Sequence, residues 1–221
     1  MWYVENFLVP SMIDQGIRRD EITIWNDSDG KGNLTSCLES FASLKDISGG
    51  TWHLQDDVMI CHDFAKRTKA LAGDHIICGF CFSGYEEGDP PVTGWVFPVL
   101  MWNSCFLCVY IPNEIASNFV HWFYSEARAR PEFAGWVESN KHDDTLFHEY
   151  CIEEQPNTLA LNYAPHLVEH VDYLVGGSII NQWRGHTSRG YYFEDDDLTD
   201  ELTEKVVKYR KSKREATTLK A

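Results

Sequence analysis

In the first half of the chain, short apolar segments alternate with segments whose apolar residues recur at helical spacing. Apolar runs over residues 2–9, 21–25, 51–54 and 76–82 predict strands. Residues 34–44 instead repeat apolar side chains every three or four positions, which predicts a helix. This alternation favours a parallel sheet flanked by helices, and such sheets bind ligands at the carboxyl ends of their strands.

The second half continues the mixed pattern. Two strand-like runs lie within residues 96–111, and helices are predicted over 113–128 and 143–153 before a short strand at 159–163. The chain has 221 residues, a length that suits one domain with its own core. We therefore expect one α/β domain over residues 1–193, followed by a charged C-terminal helix or tail over 194–221.

The charge of the chain limits its partners. A formal net charge of −15 argues against a broad basic surface for phosphate backbones. One local basic patch follows an acidic run near the C-terminus, and it consists of Lys205, Lys208, Arg210, Lys211, Lys213 and Arg214. We interpret it as a solvated terminal helix, and the alternative is an electrostatic contact with an anionic acceptor or a membrane surface.

Cysteine usage and hydropathy indicate the compartment. The seven cysteines are an odd number and lie mostly in apolar runs, which favours buried free thiols in a reducing cytoplasm. Two CxxC pairs, Cys78/Cys81 and Cys105/Cys108, could form a zinc site, but both lie in strand-like sequence without knuckle loops. We predict no transmembrane segment and no signal peptide, and hence a cytoplasmic protein.

An acidic pair follows the predicted strand at 51–54. Asp56 and Asp57 lie between apolar residues, where two adjacent carboxylates repel unless a cation joins them to a ligand. Mg²⁺ and Mn²⁺ prefer carboxylate oxygens and bridge readily to diphosphate. The alternative interpretation is a polar turn that caps the following helix.

Two further polar segments favour the ligand interpretation. Asn26 and Asp27 open a turn-rich stretch after the predicted strand at 21–25. Late in the chain, His166 and His170 are spaced as on one helix face, and neutral imidazole is a good ligand for Mn²⁺-type ions. Simple packing is the alternative explanation of that spacing.

With these residues the chain, from Tyr3 to about His170, resembles the GT-A glycosyltransferases of the nucleotide-diphosphosugar transferase superfamily, including bacteriophage members. Gln55, Asp56 and Asp57 match the acidic DxD motif of that family, with Gln55 at a position where many members have Asp. The resemblance implies a Rossmann-like, mixed but mainly parallel sheet in a single domain. It also implies Mn²⁺ or Mg²⁺ held by Asp57 and a late histidine, for which His170 is our choice and His166 the alternative.

The resemblance further implies a donor site and a base. The candidate donor-binding residues are Pro10, Arg18, Asn26, Asp27, Gln55, Asp56 and Arg184. Inverting members carry a carboxylate in an acidic pair that opens a helix, which suggests Asp144 first and Asp143 second as the base that takes the acceptor proton. Capping of the helix that follows is the alternative role for both.

Three functions are compatible with these features. The first is transfer of a sugar from a nucleotide-diphosphosugar, by default a UDP-sugar, to an acceptor hydroxyl on a hydroxymethylated DNA base, a protein, a metabolite or a glycan. The second is a nucleotidyltransferase, which would need a Gly-rich basic loop after the first strand that Pro10-Ser11-Met12 does not provide. The third is a non-catalytic module that binds a nucleotide or glycan on the same fold, which Gln55 supports.

Overall fold

The computed structural model describes residues 1–27, 29–80, 95–98, 106–156, 158, 160–175 and 195–218. The strands are β1 (Gly50–Leu54), β2 (Val58–Ile60), β3 (Ile76–Cys78), β4 (Trp95–Pro98), β5 (Cys108–Pro112), β6 (Ala160–Ala164) and β7 (Val168–His170). The α-helices are α1 (Val9–Asp14), α2 (Asn33–Ala42), α3 (Phe64–Leu71), α4 (Asn113–Ser125), α5 (Ala134–Ser139), α6 (Asp143–Glu154), α7 (Asp172–Val175) and α8 (Asp196–Thr218). The protein is therefore a mixed α/β domain, as the sequence predicts.

The central sheet is mixed, but it is not mainly parallel. Its described strands lie in the order β1-β5-β3-β6-β4. Among the strand pairs of the described residues, β3–β6 alone is parallel, whereas β1–β5, β3–β5 and β4–β6 are antiparallel. The expectation of a mainly parallel sheet is wrong for these strands, because the two N-terminal segments predicted as strands do not enter the sheet.

Those N-terminal segments take other conformations for identifiable reasons. Residues predicted as the first strand form a π-helical turn, Val4–Leu8, that continues into α1. An uninterrupted apolar run does not distinguish a buried strand from a buried helix, and Pro10 is compatible with the first turn of α1. The segment predicted as the second strand is a 3₁₀ turn at Arg19–Glu21 followed by irregular backbone over residues 22–27.

The sheet has a hydrophobic layer on each face. Ile76 and Cys78 of β3 pack with α2, α4 and α6, whereas Ile77 packs on the other side with the N-terminal helices, β2, β7 and α3. Alternate strand residues point to opposite faces, so one short strand serves both layers. The helices of the first layer were predicted correctly because their apolar residues follow helical spacing, as Leu34, Leu38 and Phe41 do in α2.

Three strands finish at the same edge of the sheet. β5 is antiparallel to both β1 and β3, and β6 is parallel to β3, so β1, β3 and β6 all run in one direction. We call the edge where these three strands end the carboxyl edge. Asp56 and Asp57 follow β1 at this edge.

A second, two-stranded ribbon stands beside the sheet. β2 follows β1 after the Asp56-Asp57 turn and pairs with β7 in antiparallel register, with Val58 opposite His170. The N–H of Val171 donates to the carbonyl oxygen of Asp57 at 2.8 Å, which extends the ribbon by one step. The sequence did not predict this ribbon. The expectation that His166 and His170 share a helix face is wrong, because His166 lies in the turn after β6 and His170 is the last residue of β7.

The C-terminal helix α8 packs on the same layer as the ribbon. Val206 is 1% exposed within that core, and Leu198 and Leu202 pack against it. The C-terminal segment, for which the sequence predicts a charged helix or tail, contains α8, and this helix is docked on the domain. Within the described ranges, no helix is both long and apolar enough to cross a bilayer.

Candidate functional site

The ribbon brings Asp57 and His170 into direct contact, although 113 residues separate them in sequence. The Nε2 atom of His170 lies 3.0 Å from Oδ2 of Asp57. The side chains are 12% and 17% exposed for His170 and Asp57, so the pair is largely sheltered but open to a ligand. The pairing of Val58 with His170 sets this contact, because it aligns Asp57 with the end of β7.

The second carboxylate oxygen of Asp57 fits a bound cation. This atom, Oδ1, is buried and has no hydrogen-bond partner in the described part of the chain. A buried carboxylate oxygen without a partner is costly unless something binds it. One carboxylate and one imidazole nitrogen suit Mn²⁺, whose remaining coordination positions a diphosphate and water would fill. The residues present therefore fit the metal that the sequence predicts.

Gln55 and Asp56 lie between the end of β1 and Asp57. The N–H of Gln55 donates to the carbonyl oxygen of Leu107 at 3.1 Å, which continues the pairing of β1 beyond its last residue. Burial, and next the charge of Asp57, raise the pKa of the Asp56 carboxyl above its usual range. A cation bound here would therefore reduce the electrostatic repulsion between the carboxylates of Asp56 and Asp57.

His166 lies in the core and not beside the carboxylates. It is 1% exposed, and its ring centroid is 5.1 Å from that of Phe80. Burial lowers its pKa to about 4, so the imidazole is neutral at pH 7. Of the two histidines that the sequence left open, only His170 contacts Asp57 among the described contacts.

The other acidic pair opens α6. Asp143 is 8% exposed, and burial followed by the charge of Asp144 raises the pKa of its carboxyl to about 7. Oδ1 of Asp144 accepts hydrogen bonds from the N–H of Thr145 at 2.7 Å and from its hydroxyl at 3.3 Å. Asp144 is less buried than Asp143, so it is the more accessible of the two carboxylates.

The N-terminus of α6 points towards the carboxyl edge. α6 packs on the sheet through Leu146 and Phe147 and leads into the start of β6, so its first residues lie towards the end of β6. Contacts of Asn140, just before α6, with the loop that opens α2 agree with this direction. The two acidic pairs are therefore carried on opposite faces of the sheet and point to one edge.

Asp27 is engaged by its own loop. Its two carboxylate oxygens accept the N–H groups of Lys31 at 2.5 Å and Gly32 at 2.8 Å. Asn140 closes the same loop, because its amide donates to the carbonyl oxygen of Lys31 and its Oδ1 accepts the N–H of Thr35 at 3.0 Å. The carboxylate of Asp27 thus has a structural role, and a contact with the donor stays a prediction.

The remaining predicted donor residues are scattered or outside the described residues. Pro10 lies in α1 and not at the end of a strand. Arg18 is exposed and pairs with Asp20 at 3.0 Å, and Asn26 is exposed on irregular backbone. Arg184 lies outside the described residues. The structure therefore gathers Asp56, Asp57 and His170 but does not gather Pro10, Arg18 and Asn26 with them.

One cluster was not anticipated from sequence. His62, Asp195 and Asp197 bring possible metal-ligand atoms within 4.8 Å of one another where β2 ends and α8 begins. The N–H of His62 donates to Asp195 at 2.8 Å, and the side chains of His62 and Asp197 are 60% and 83% exposed. Such exposed groups are common without a metal, and no sequence spacing relates residues 133 positions apart.

Comparisons of this chain with protein-family models, with curated proteins and with solved structures each found no match. The function proposed below therefore rests on the resemblance of its motifs and on the geometry of the carboxyl edge.

Proposed function

We propose that this protein is a metal-dependent glycosyltransferase of the GT-A type that moves a sugar from a nucleotide-diphosphosugar to an acceptor hydroxyl. The observation that carries the proposal is the contact of Asp57 with His170 across the ribbon. The resemblance implies Asp57 and a late histidine as metal ligands, with His170 as our choice and His166 as the alternative, and Asp57 and His170 are 113 positions apart in sequence.

In this proposal Asp57 and His170 would hold Mn²⁺ or Mg²⁺, and the metal would supply positive charge against the nucleoside diphosphate. Asp56 and Gln55 lie beside the donor, and Asp56 contacts its ribose or phosphate. Asp56 is exposed and its pKa is raised by desolvation and by the neighbouring charge of Asp57, so a cation bound beside it would favour its ionised form.

The base is assigned to Asp144, with Asp143 as the alternative. The carboxylate takes the acceptor hydroxyl proton while the acceptor oxygen bonds to the anomeric carbon and the bond from that carbon to the diphosphate breaks. Attack and departure on opposite sides invert the sugar carbon. Asp144 is the better exposed of the pair, whereas Asp143 has a pKa of about 7 and is partly protonated at neutral pH.

A binding screen tests the proposal. Purified protein is titrated by calorimetry with UDP-, GDP-, CMP- and TDP-sugars, each with and without Mn²⁺, and thermal unfolding is followed in parallel. We expect stabilisation only when nucleotide and metal are both present, most strongly for one base. No response to any pair would contradict the proposal, and binding without turnover on any acceptor would favour the non-catalytic module.

A further inference from the structure

The middle and C-terminal turns of α8 carry a cluster of cations on an acidic chain. Its members are Lys205, Lys208, Arg210, Lys211 and Lys213. Cations near the C-terminus of a helix are favoured by the helix dipole, so their presence does not by itself indicate a partner. The groove beside these cations says more about a partner.

Two of the lysines line a groove between α8 and the N-terminal helix. The groove has a volume of about 350 Å³, and its walls are Asn6, Phe7, Lys205, Lys208, Tyr209 and Ser212. Residues 205, 208 or 209, and 212 recur at helical spacing, so one stripe of α8 forms this wall. The groove thus combines two ammonium groups, an amide, a hydroxyl and two aromatic rings.

The aromatic residues of the groove are held in place by their neighbours. The ring of Tyr209 stacks on Trp2 with centroids 5.6 Å apart and an angle of 9°. It meets Phe7 edge to face, also at 5.6 Å. The guanidinium of Arg210 lies 5.1 Å from the Trp2 ring centroid, and the ammonium of Lys213 lies 5.4 Å from that of Tyr209. Cations and rings therefore form one connected surface.

This surface fits a nucleic-acid strand better than a lipid bilayer. A helix that lies on a membrane exposes a continuous apolar stripe. On α8 the apolar residues Leu198, Leu202 and Val206 are directed into the core, and Val207 is an isolated exposed one at 58%. Lysines beside fixed aromatic rings instead match the phosphates and bases of a single strand.

We propose that the α8 groove, defined by Asn6, Phe7, Lys205, Lys208, Tyr209 and Ser212, docks a single strand of DNA. Lys205 and Lys208 contact its phosphates, and the Phe7 and Tyr209 rings contact a base or sugar. The binding is independent of the donor site, but its use in presenting a sugar acceptor rests on the proposed function. Because the whole chain has a net charge of −15, attraction must be local, and binding depends strongly on these lysines.

Fluorescence anisotropy of the full chain with a labelled DNA strand of roughly 20 nucleotides tests this inference, since such a strand exceeds a typical site. Lys208→Glu is the test variant, because Lys205 also pairs with Glu201 at 2.6 Å and its replacement would break that bond. Lys45→Glu, at an exposed position after α2, is the matched control.

We expect wild-type protein and Lys45→Glu to bind the strand equally. Lys208→Glu should weaken binding roughly tenfold at low salt. The slope of log affinity against log salt concentration should also fall by about one, since one phosphate contact is lost. Absence of binding by wild type, or equal binding by Lys208→Glu, would overturn the inference. Binding to phosphatidylserine vesicles without binding to DNA would overturn it in favour of a membrane contact.

The nucleotide-sugar screen separates this inference from the proposed function. DNA binding that depends on Lys208, in a protein that binds no donor with Mn²⁺, would leave the α8 groove standing while the glycosyltransferase proposal fails. Donor binding without DNA binding would support the glycosyltransferase proposal and overturn the inference about the α8 groove. Thermal unfolding of each variant checks that Lys208→Glu is folded.

Discussion

The two acidic pairs at the carboxyl edge differ in what accompanies each carboxylate. Asp57 faces an imidazole at 3.0 Å. Asp143 is buried next to Asp144, a second acid, and its pKa rises to about 7. Both pairs are adjacent acids in sequence, each near the start of a new element. The surroundings that the fold supplies therefore give them different chemistry.

The two acidic pairs are suited to different roles, one to binding a cation and the other to binding a proton. A carboxylate beside a nitrogen ligand, with a buried oxygen that lacks a partner, is suited to a cation. A buried carboxyl beside a like charge is suited to a proton, because neutralisation relieves both burial and repulsion. We infer that Asp57 binds a metal, whereas the Asp143-Asp144 pair handles a proton.

The largest expected effect comes from removing the charge of Asp57. Asp57→Asn should lower donor affinity in the presence of Mn²⁺ by at least about 100-fold, since a metal ligand is lost. Calorimetric titration with the preferred nucleotide-sugar measures the change. Asp74→Asn, at an exposed position between α3 and β3, is the matched control and should bind as wild type does. Metal-dependent donor binding that persists in Asp57→Asn would show that Asp57 is not a metal ligand, and the two acidic pairs would then not differ in this way.

The second effect concerns the base. Asp144→Asn should slow sugar transfer by about 10²–10⁴-fold and leave donor affinity unchanged, because only proton removal is lost. Single-turnover rates at saturating donor measure it. Transfer at the wild-type rate would show that Asp144 has no such role, and a severe loss in Asp143→Asn alone would assign the base to its neighbour.

The third effect is on stability and depends on pH. The Asp143 carboxyl has a pKa of about 7 in the folded protein and an ordinary value of 3.8 when unfolded. It therefore stays protonated to a higher pH in the folded state than in the unfolded state. The folded state therefore loses stability as pH rises from about 4 to about 7, by on the order of 4 kcal/mol. Asp143→Asn should unfold like wild type at pH 4 and be more stable at pH 8. Urea unfolding at both pH values checks this, and a difference that does not grow with pH would contradict it.

The smallest effect is expected at Asp27, whose carboxylate already binds backbone. Asp27→Ala should lower the free energy of unfolding by about 1 kcal/mol, since the N–H groups of Lys31 and Gly32 lose their exposed acceptor. Urea unfolding at pH 7 measures it. An unchanged stability would mean that the carboxylate is not needed by the loop and is available to the donor.

The sequence predicted those parts of the fold that rest on local periodicity. α2, α4 and α6 have apolar residues at helical spacing and are where the pattern predicts them. β3 lies within its predicted run, and β1 and β5 each extend one residue beyond theirs. The N-terminal helix was missed because an unbroken apolar run from Trp2 to Val9 is compatible with strand and helix alike.

The candidate site was predicted in its residues but not in its architecture. Asp57 and His170 were singled out from the resemblance, whereas the ribbon that joins them depends on pairing across more than a hundred residues, which no local pattern encodes. The four-residue spacing of His166 and His170 suggested a helix. In the structure His166 lies in the turn between β6 and β7, in the core against Phe80, whereas His170 ends β7 beside Asp57.

The most direct test of the central claim is to follow free Mn²⁺ by electron paramagnetic resonance during titration with protein in the presence of UDP. Wild-type protein should remove the free Mn²⁺ signal, whereas His170→Gln and Asp57→Asn should leave most of it at the same protein concentration. His62→Gln, in the exposed cluster beside α8, should behave as wild type does. Loss of the signal with both site variants, but not with His62→Gln, would contradict the account and move the metal to that exposed cluster.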